Sequence, residues 1–254
     1  MFDPKALLDD LLGSRIPGTE STVREKGGQA LQLAKDNPLA TGALAAVLLG
    51  TGAGRQLTGT ALKLGGIAAV GALAYKAYQN YRSGSEPGAD AGAGDAGRRE
   101  PELLPPPADT DFHHEQAPQG GDEFALSLIR AMIAAARADG HIDDEERSRI
   151  ADRLKVSGIG AEAERFMMEE LERPVDMDAL VGSAKTEAQR VELYTASRLA
   201  IDPETRAERG YLDLLAGRLD LPDALVDHVE QTVVAAKAPA APSAVPAGTG
   251  SGLL

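Results

Sequence analysis

Apolar positions along this chain follow two different patterns. From Leu39 to Arg82 the sequence runs LATGALAAVLLGTGAG, RQLTGTALK and LGGIAAVGALAYKAYQNYR, stretches rich in Gly and Ala with few charges. From residue 122 to about 236, apolar residues instead recur at helical spacing among charges. One predicted helix carries Ala125, Leu128, Ile129, Met132, Ile133 and Ala136, and the Asp139-Gly140 pair is expected to end it. Others carry Ala163, Phe166, Met167 and Leu171, then Val191, Leu193, Tyr194, Ala196 and Leu199. Two more follow, with Tyr211, Leu212, Leu214 and Leu215, and with Leu225, Val226, Val229 and Val233. No run alternates with the period of a strand. The expected fold class is all-α: a Gly/Ala-rich helical hairpin of membrane type, a disordered linker and an α-helical bundle.

The Gly/Ala-rich block determines where the rest of the chain lies. Residues 39–54 are sixteen uncharged positions, about 24 Å as a helix, against a hydrocarbon layer of ~30 Å. The run from Leu64 to Tyr75 is shorter still. Arg55 and Lys63 lie between the two, and a charge at mid-bilayer costs about 2.5–3.5 kcal/mol. They belong in a turn, which predicts two short helices joined at or near the far interface. Gly42, Ala46, Gly50 and Gly54 recur every four residues, as do Ala61, Gly65 and Ala69. Such ridges permit close backbone approach between membrane helices, and self-association through them. Tyr75, Tyr78 and Tyr81 beside Lys76 and Arg82 fit an aromatic belt at the headgroups. A soluble helical hairpin is the competing reading.

The flanking segments complete the division. In residues 1–38, Asp3 is an expected N-cap and Pro4 a first helical residue; Leu7, Leu8, Leu11 and Leu12 form one face before Gly13. This short amphipathic helix docks either on an interface or on its own chain. Residues 83–121 are dense in Gly, Pro, Ala and acid, and read as a disordered linker. Residues 237–254 read as a disordered tail for the same reason. The predicted organisation is therefore 1–38, hairpin 39–82, linker 83–121, helical domain 122–236 and tail.

Charge sharpens this picture. The net charge of −13 opposes nucleic-acid binding, which needs a basic surface. Residues 1–82 nevertheless hold nine Lys/Arg against six Asp/Glu, while 122–236 hold fourteen against twenty-five. A basic apolar end suits an anionic lipid surface, and the acidic domain would be held away from it. Lys26, Lys35, Lys76 and Arg82 flanking the hairpin favour both termini in the cytoplasm. With no cysteine, disulfides, thiolate zinc sites and cysteine nucleophiles are excluded.

The candidate chemistry is acidic. Asp139, His141, Asp143 and Glu146 lie in one interhelical turn, and Asp202 with Glu208 in a second, faintly similar one. If the turns meet, Asp139, Asp143, Glu146, Asp202 and Glu208 could surround a divalent cation. Position six counted from Asp139 is Asp144 and position twelve is Ile150, so this is not an EF-hand. The competing role is helix capping, with Asp143 and Glu146 as a capping box. The adjacent His113 and His114 read as an unstructured polar pair, and His141 and His228 as satisfied or surface residues. No nucleophile elbow, phosphate loop or metalloprotease motif is present.

The segments FDPKALLDDLLG, GALAAVLLGTGAGR, ALKLGGIAAVGALAYKAYQNY and IDPETRAERGYLDLLAGRLDLP resemble the YebE-type bacterial inner-membrane proteins of unknown function. The C-terminal portion is similar to the helical tellurite-resistance TerB-like domain, whose acidic signature the turn ADGHIDDEE resembles. The resemblance implies membrane association and an acidic helical domain, leaves metal binding open, and implies no enzyme. Asp202-Pro203 replaces the Asp-Gly of the first turn, which argues against symmetrical two-turn metal binding. The expected function is a non-enzymatic adaptor at the inner membrane, presenting its acidic domain to protein partners on the cytoplasmic side. A divalent-metal stress protein and a soluble interaction module are the alternatives.

Overall fold

The computed structural model describes residues 3–13, 66–88, 104–138, 148 and 161–237. Among these residues there are eight α-helices and no strand. They are α1 (Pro4–Gly13), α2 (Gly66–Arg82), α3 (Gly121–Ala136), α4 (Ala161–Glu172), α5 (Met177–Ser183), α6 (Glu187–Ala200), α7 (Arg206–Arg218) and α8 (Asp223–Lys237). The all-α expectation holds.

Helix α6 is the axis of the bundle. Every residue from Val191 to Ala200 is buried, against α3 most extensively and also against α2, α8 and α7. Its sequence, EAQRVELYTASRLA, is too polar for a helix surrounded on all sides unless those groups find partners inside. Most do. Thr195 Oγ1 donates to the Val191 carbonyl at 2.7 Å and Ser197 Oγ to the Ala131 carbonyl at 3.3 Å. The Ala131 bond crosses to α3, where the run Ala134-Ala135-Ala136 keeps the facing surface small. Thr186 caps the start of α6 by accepting the Gln189 N–H.

Helix α2 departs from the hairpin reading. It is the second half of the Gly/Ala-rich block, yet Ile67, Ala69, Val70, Leu73, Ala74 and Ala77 are buried, and the helix packs on α8, α6 and α1. The expected aromatic belt is likewise turned inward. The Tyr75 and Tyr78 rings lie 5.4 and 5.3 Å from the Phe112 ring, and Tyr81 meets His228 at 6.3 Å. The small residues that would let two membrane helices approach serve equally to let α2 enter a protein core. No described helix is long and apolar enough to cross a membrane.

The predicted linker also contributes to the core. Residues 104–120 form a strap along the bundle, with successive turns closed by Thr110 N–H to the Pro107 carbonyl and His113 N–H to the Thr110 carbonyl. A single 3-10 turn, His114–Gln116, follows. Composition predicts disorder here because large apolar residues are scarce; one of them, Phe112, is 5% exposed and fixes the strap to α2. Helix α1 has the expected Asp3 cap, accepting from the Lys5 and Ala6 N–H groups. Leu7 and Leu8 are buried where α1 meets α2 and α3, so the amphipathic helix docks on its own chain.

Candidate functional site

Two acids of the proposed cation set fall within the described residues, and both are committed to protein groups. Glu208 is the third residue of α7. Its Oε2 accepts the Thr205 N–H at 2.8 Å while Thr205 Oγ1 accepts the Glu208 N–H at 3.1 Å, a complete capping box. Asp202 Oδ1 accepts from Lys237 Nζ at 2.9 Å and from Arg198 Nη1 at 3.4 Å. Asp139, Asp143 and Glu146 lie outside the described residues, as do Gly42, Ala46, Gly50, Gly54, Ala61 and Gly65. Ala69, the last residue of the second small-residue ridge, is 1% exposed inside the bundle. Among the described residues, no three His, Asp or Glu side chains are grouped to hold a metal.

Asp202, itself exposed, borders a polar network around the buried Arg198 and Lys237 that closes the end of α6. Arg198 Nη1 donates to the Ile201 carbonyl at 2.7 Å, and Lys237 Nζ to the same carbonyl at 3.0 Å. Arg198 Nε pairs with Glu230 at 2.5 Å, and Glu230 also accepts from the Tyr194 hydroxyl at 2.8 Å. Two cations thus meet carbonyls at a helix C-terminus, where the backbone leaves acceptors unpaired and the dipole favours positive charge. Burial pushes Asp202 upward, but the Lys237 bond and the charges of Lys237 and Arg198 prevail and hold its carboxyl below the ordinary value. Burial lowers Lys237 despite Asp202. The network has the character of a lock between α6 and α8.

Glu192 on α6 is a different kind of acid. It is 2% exposed, and burial holds its carboxyl well above the usual range. It stands where α2 crosses α6, with Oε1 3.0 Å from the place a Cβ on Gly71 would occupy.

A cleft of about 490 Å³ lies between α3, α4 and α5. Arg130, Arg137 and Arg173 converge on it. Glu170, buried at its edge, accepts from Arg130 at 3.1 Å and Arg173 at 3.0 Å through the same oxygen, Oε1. Arg137 Nη1 donates to the Arg173 carbonyl, and Arg137 Nε is buried without a hydrogen-bond partner among the described residues. A donor left so costs about 1–3 kcal/mol. Sequence reasoning directed to acids passed over these arginines. The available signal was their spacing: Arg130 and Arg137 are seven residues apart, two helical turns along one stripe.

A family model described as a protein of unknown function, DUF533, matches residues 34–233. The chain belongs to the DUF533 family. An uncharacterized protein in the ampR 5' region of Yersinia enterocolitica is 32% identical over 127 residues, covering 48% of this chain and 91% of that protein. No solved structure matches. The DUF533 match begins just before the Gly/Ala-rich block and ends in α8, so it spans the block and the bundle together.

Proposed function

We propose that this DUF533 protein is a non-enzymatic adaptor at the bacterial inner membrane, in which residues 39–65 associate with lipid and the helical bundle engages protein partners. The observation that carries the reading is the placement of α2. It continues directly from the apolar, Gly-ridged 39–65 stretch and is itself a wall of the bundle. A segment attached there holds the bundle close to whatever it binds, without the flexible tether that residues 83–121 suggest. Arg55 and Lys63 give the stretch cations for anionic headgroups, and its Gly42-Ala46-Gly50-Gly54 ridge suits self-association in lipid. The resemblance to YebE-type inner-membrane proteins with a TerB-like domain supports the same reading, with the bundle on the cytoplasmic side.

Burial of α2 also favours a second reading, an interaction module that does not insert in lipid. Flotation with phosphatidylethanolamine and phosphatidylglycerol vesicles, followed by alkaline washing, separates the two. The full chain is expected to float and resist the wash, and a chain lacking 39–65 to remain below with its helical signal intact. Recovery of the full chain in the supernatant favours the second reading and removes the first.

A further inference from the structure

The arginine cleft is lined by unlike groups. Ile133, Ala134 and Leu180 supply apolar lining, and Val175 is 43% exposed. The three guanidinium groups stand among them. Each guanidinium has five N–H donors in a fixed fork and no acceptor. Arg130 and Arg173 spend one donor apiece on a single Glu170 oxygen. Arg137 spends one on a carbonyl and leaves Nε–H buried and unpaired among the described residues. The Arg130 guanidinium is also steadied over the Phe166 ring, 5.8 Å from its centroid. Three carboxylates share the lining: Glu170 lies between two arginines, Asp176 accepts the Ala179 N–H as a helix cap, and Glu123 is exposed. The cleft keeps guanidinium donors that these groups do not use, beside apolar side chains and in a volume typical of small-molecule sites.

We infer that this cleft binds a small organic anion, an apolar body of a few carbons with a carboxylate or phosphate head held by the guanidinium groups that line it, Arg137 foremost. The head oxygens take the guanidinium N–H groups of the three arginines that neither Glu170 nor the Arg173 carbonyl uses, and the body covers Leu180 and Val175. Nothing in this inference depends on membrane association.

The test uses the full-length chain with isotope-labelled arginine, following the Nε–H resonances by NMR while hexanoate, hexyl phosphate or hexanol is added. The Arg137 signal is identified by its loss in Arg137→Gln. Either anion should move it saturably in the millimolar range, and the preferred anion identifies the head; hexanol should leave it in place. In Arg137→Gln, affinity read from the remaining arginine signals should fall about tenfold, as for loss of one charge-assisted contact. Ala179→Leu should block the cleft from its exposed edge without altering any guanidinium, so it should abolish binding with the fold intact. Absence of a saturable shift with both anions, hexanol binding as tightly as hexanoate, or unchanged binding in both variants would overturn the inference.

Discussion

At Gly71 a single hydrogen atom decides whether α2, α6 and the strap can meet. A Cβ there would stand 2.9 Å from the Phe112 carbonyl oxygen and 3.0 Å from Glu192 Oε1. The first neighbour is backbone and the second a buried side chain, so neither yields freely. Gly71→Ala should destabilise the chain by about 1–3 kcal/mol through overpacking, although Ala for Gly in an exposed helix gains about 1 kcal/mol. Denaturant unfolding reads the sign directly, and a more stable variant would contradict the crossing. His114 makes a prediction about pH. Burial lowers its affinity for a proton, and the neighbouring His113 and Lys5 lower it further, against weaker support from Glu115 and Asp9. The unfolded chain therefore takes up the proton first, so stability is full above the ordinary value of 6.5 and declines as pH falls through the lower folded-state value. Melting curves of the chain and of His114→Gln should diverge on acidification, with the variant losing less; parallel curves would refute this. Little of this was legible beforehand. A doublet of histidines in a Pro-rich segment reads as solvated, because Lys5 and Asp9 of α1, whose charges act on His114, are distant in sequence.

Helix α7 and the strap show how far element-level reasoning reaches. The apolar residues Tyr211, Leu212, Leu214 and Leu215 predict α7, of which Leu214 proves exposed, and the acidic turn before it is read as a cap or a cation site. The observed capping box of Thr205 and Glu208 resolves that choice for Glu208. Thr205→Ala should cost about 0.5–2 kcal/mol, measurable by thermal unfolding; no loss would return Glu208 to the list of free acids. For the strap, Phe112→Ala should cost about 3–5 kcal/mol if the residue is as embedded as it stands. Limited proteolysis should then cut within 104–120 before it cuts α3 or α6, while identical cleavage patterns would mean the strap does not rest on Phe112. Composition misleads here because one aromatic anchor in seventeen residues barely changes an average. Helix α6 misleads in the opposite direction. Its period was legible, but its central place was not, since Ser197, Arg198 and Glu192 are the residues of a surface helix until their burial and contacts are known.

Over the whole molecule, the Gly/Ala-rich block and the helical domain are not successive modules. One helix, α2, belongs to both. The all-α class followed from periodicity alone, whereas the packing of α2 on α6 and α8 was not legible, because small apolar residues at four-residue spacing suit close packing in lipid and in a protein core alike. This shared helix gives the proposed adaptor its mechanical content, since α2 packs directly on α6 and α8. Amide hydrogen exchange on the full-length chain in water, read by mass spectrometry, tests this most directly. Peptides covering 67–78 should exchange as slowly as those covering 191–200, and both should lose protection together in Gly71→Ala. Rapid exchange across 67–78, with 191–200 still protected, would contradict the placement of α2 in the bundle and restore it to an independent hairpin.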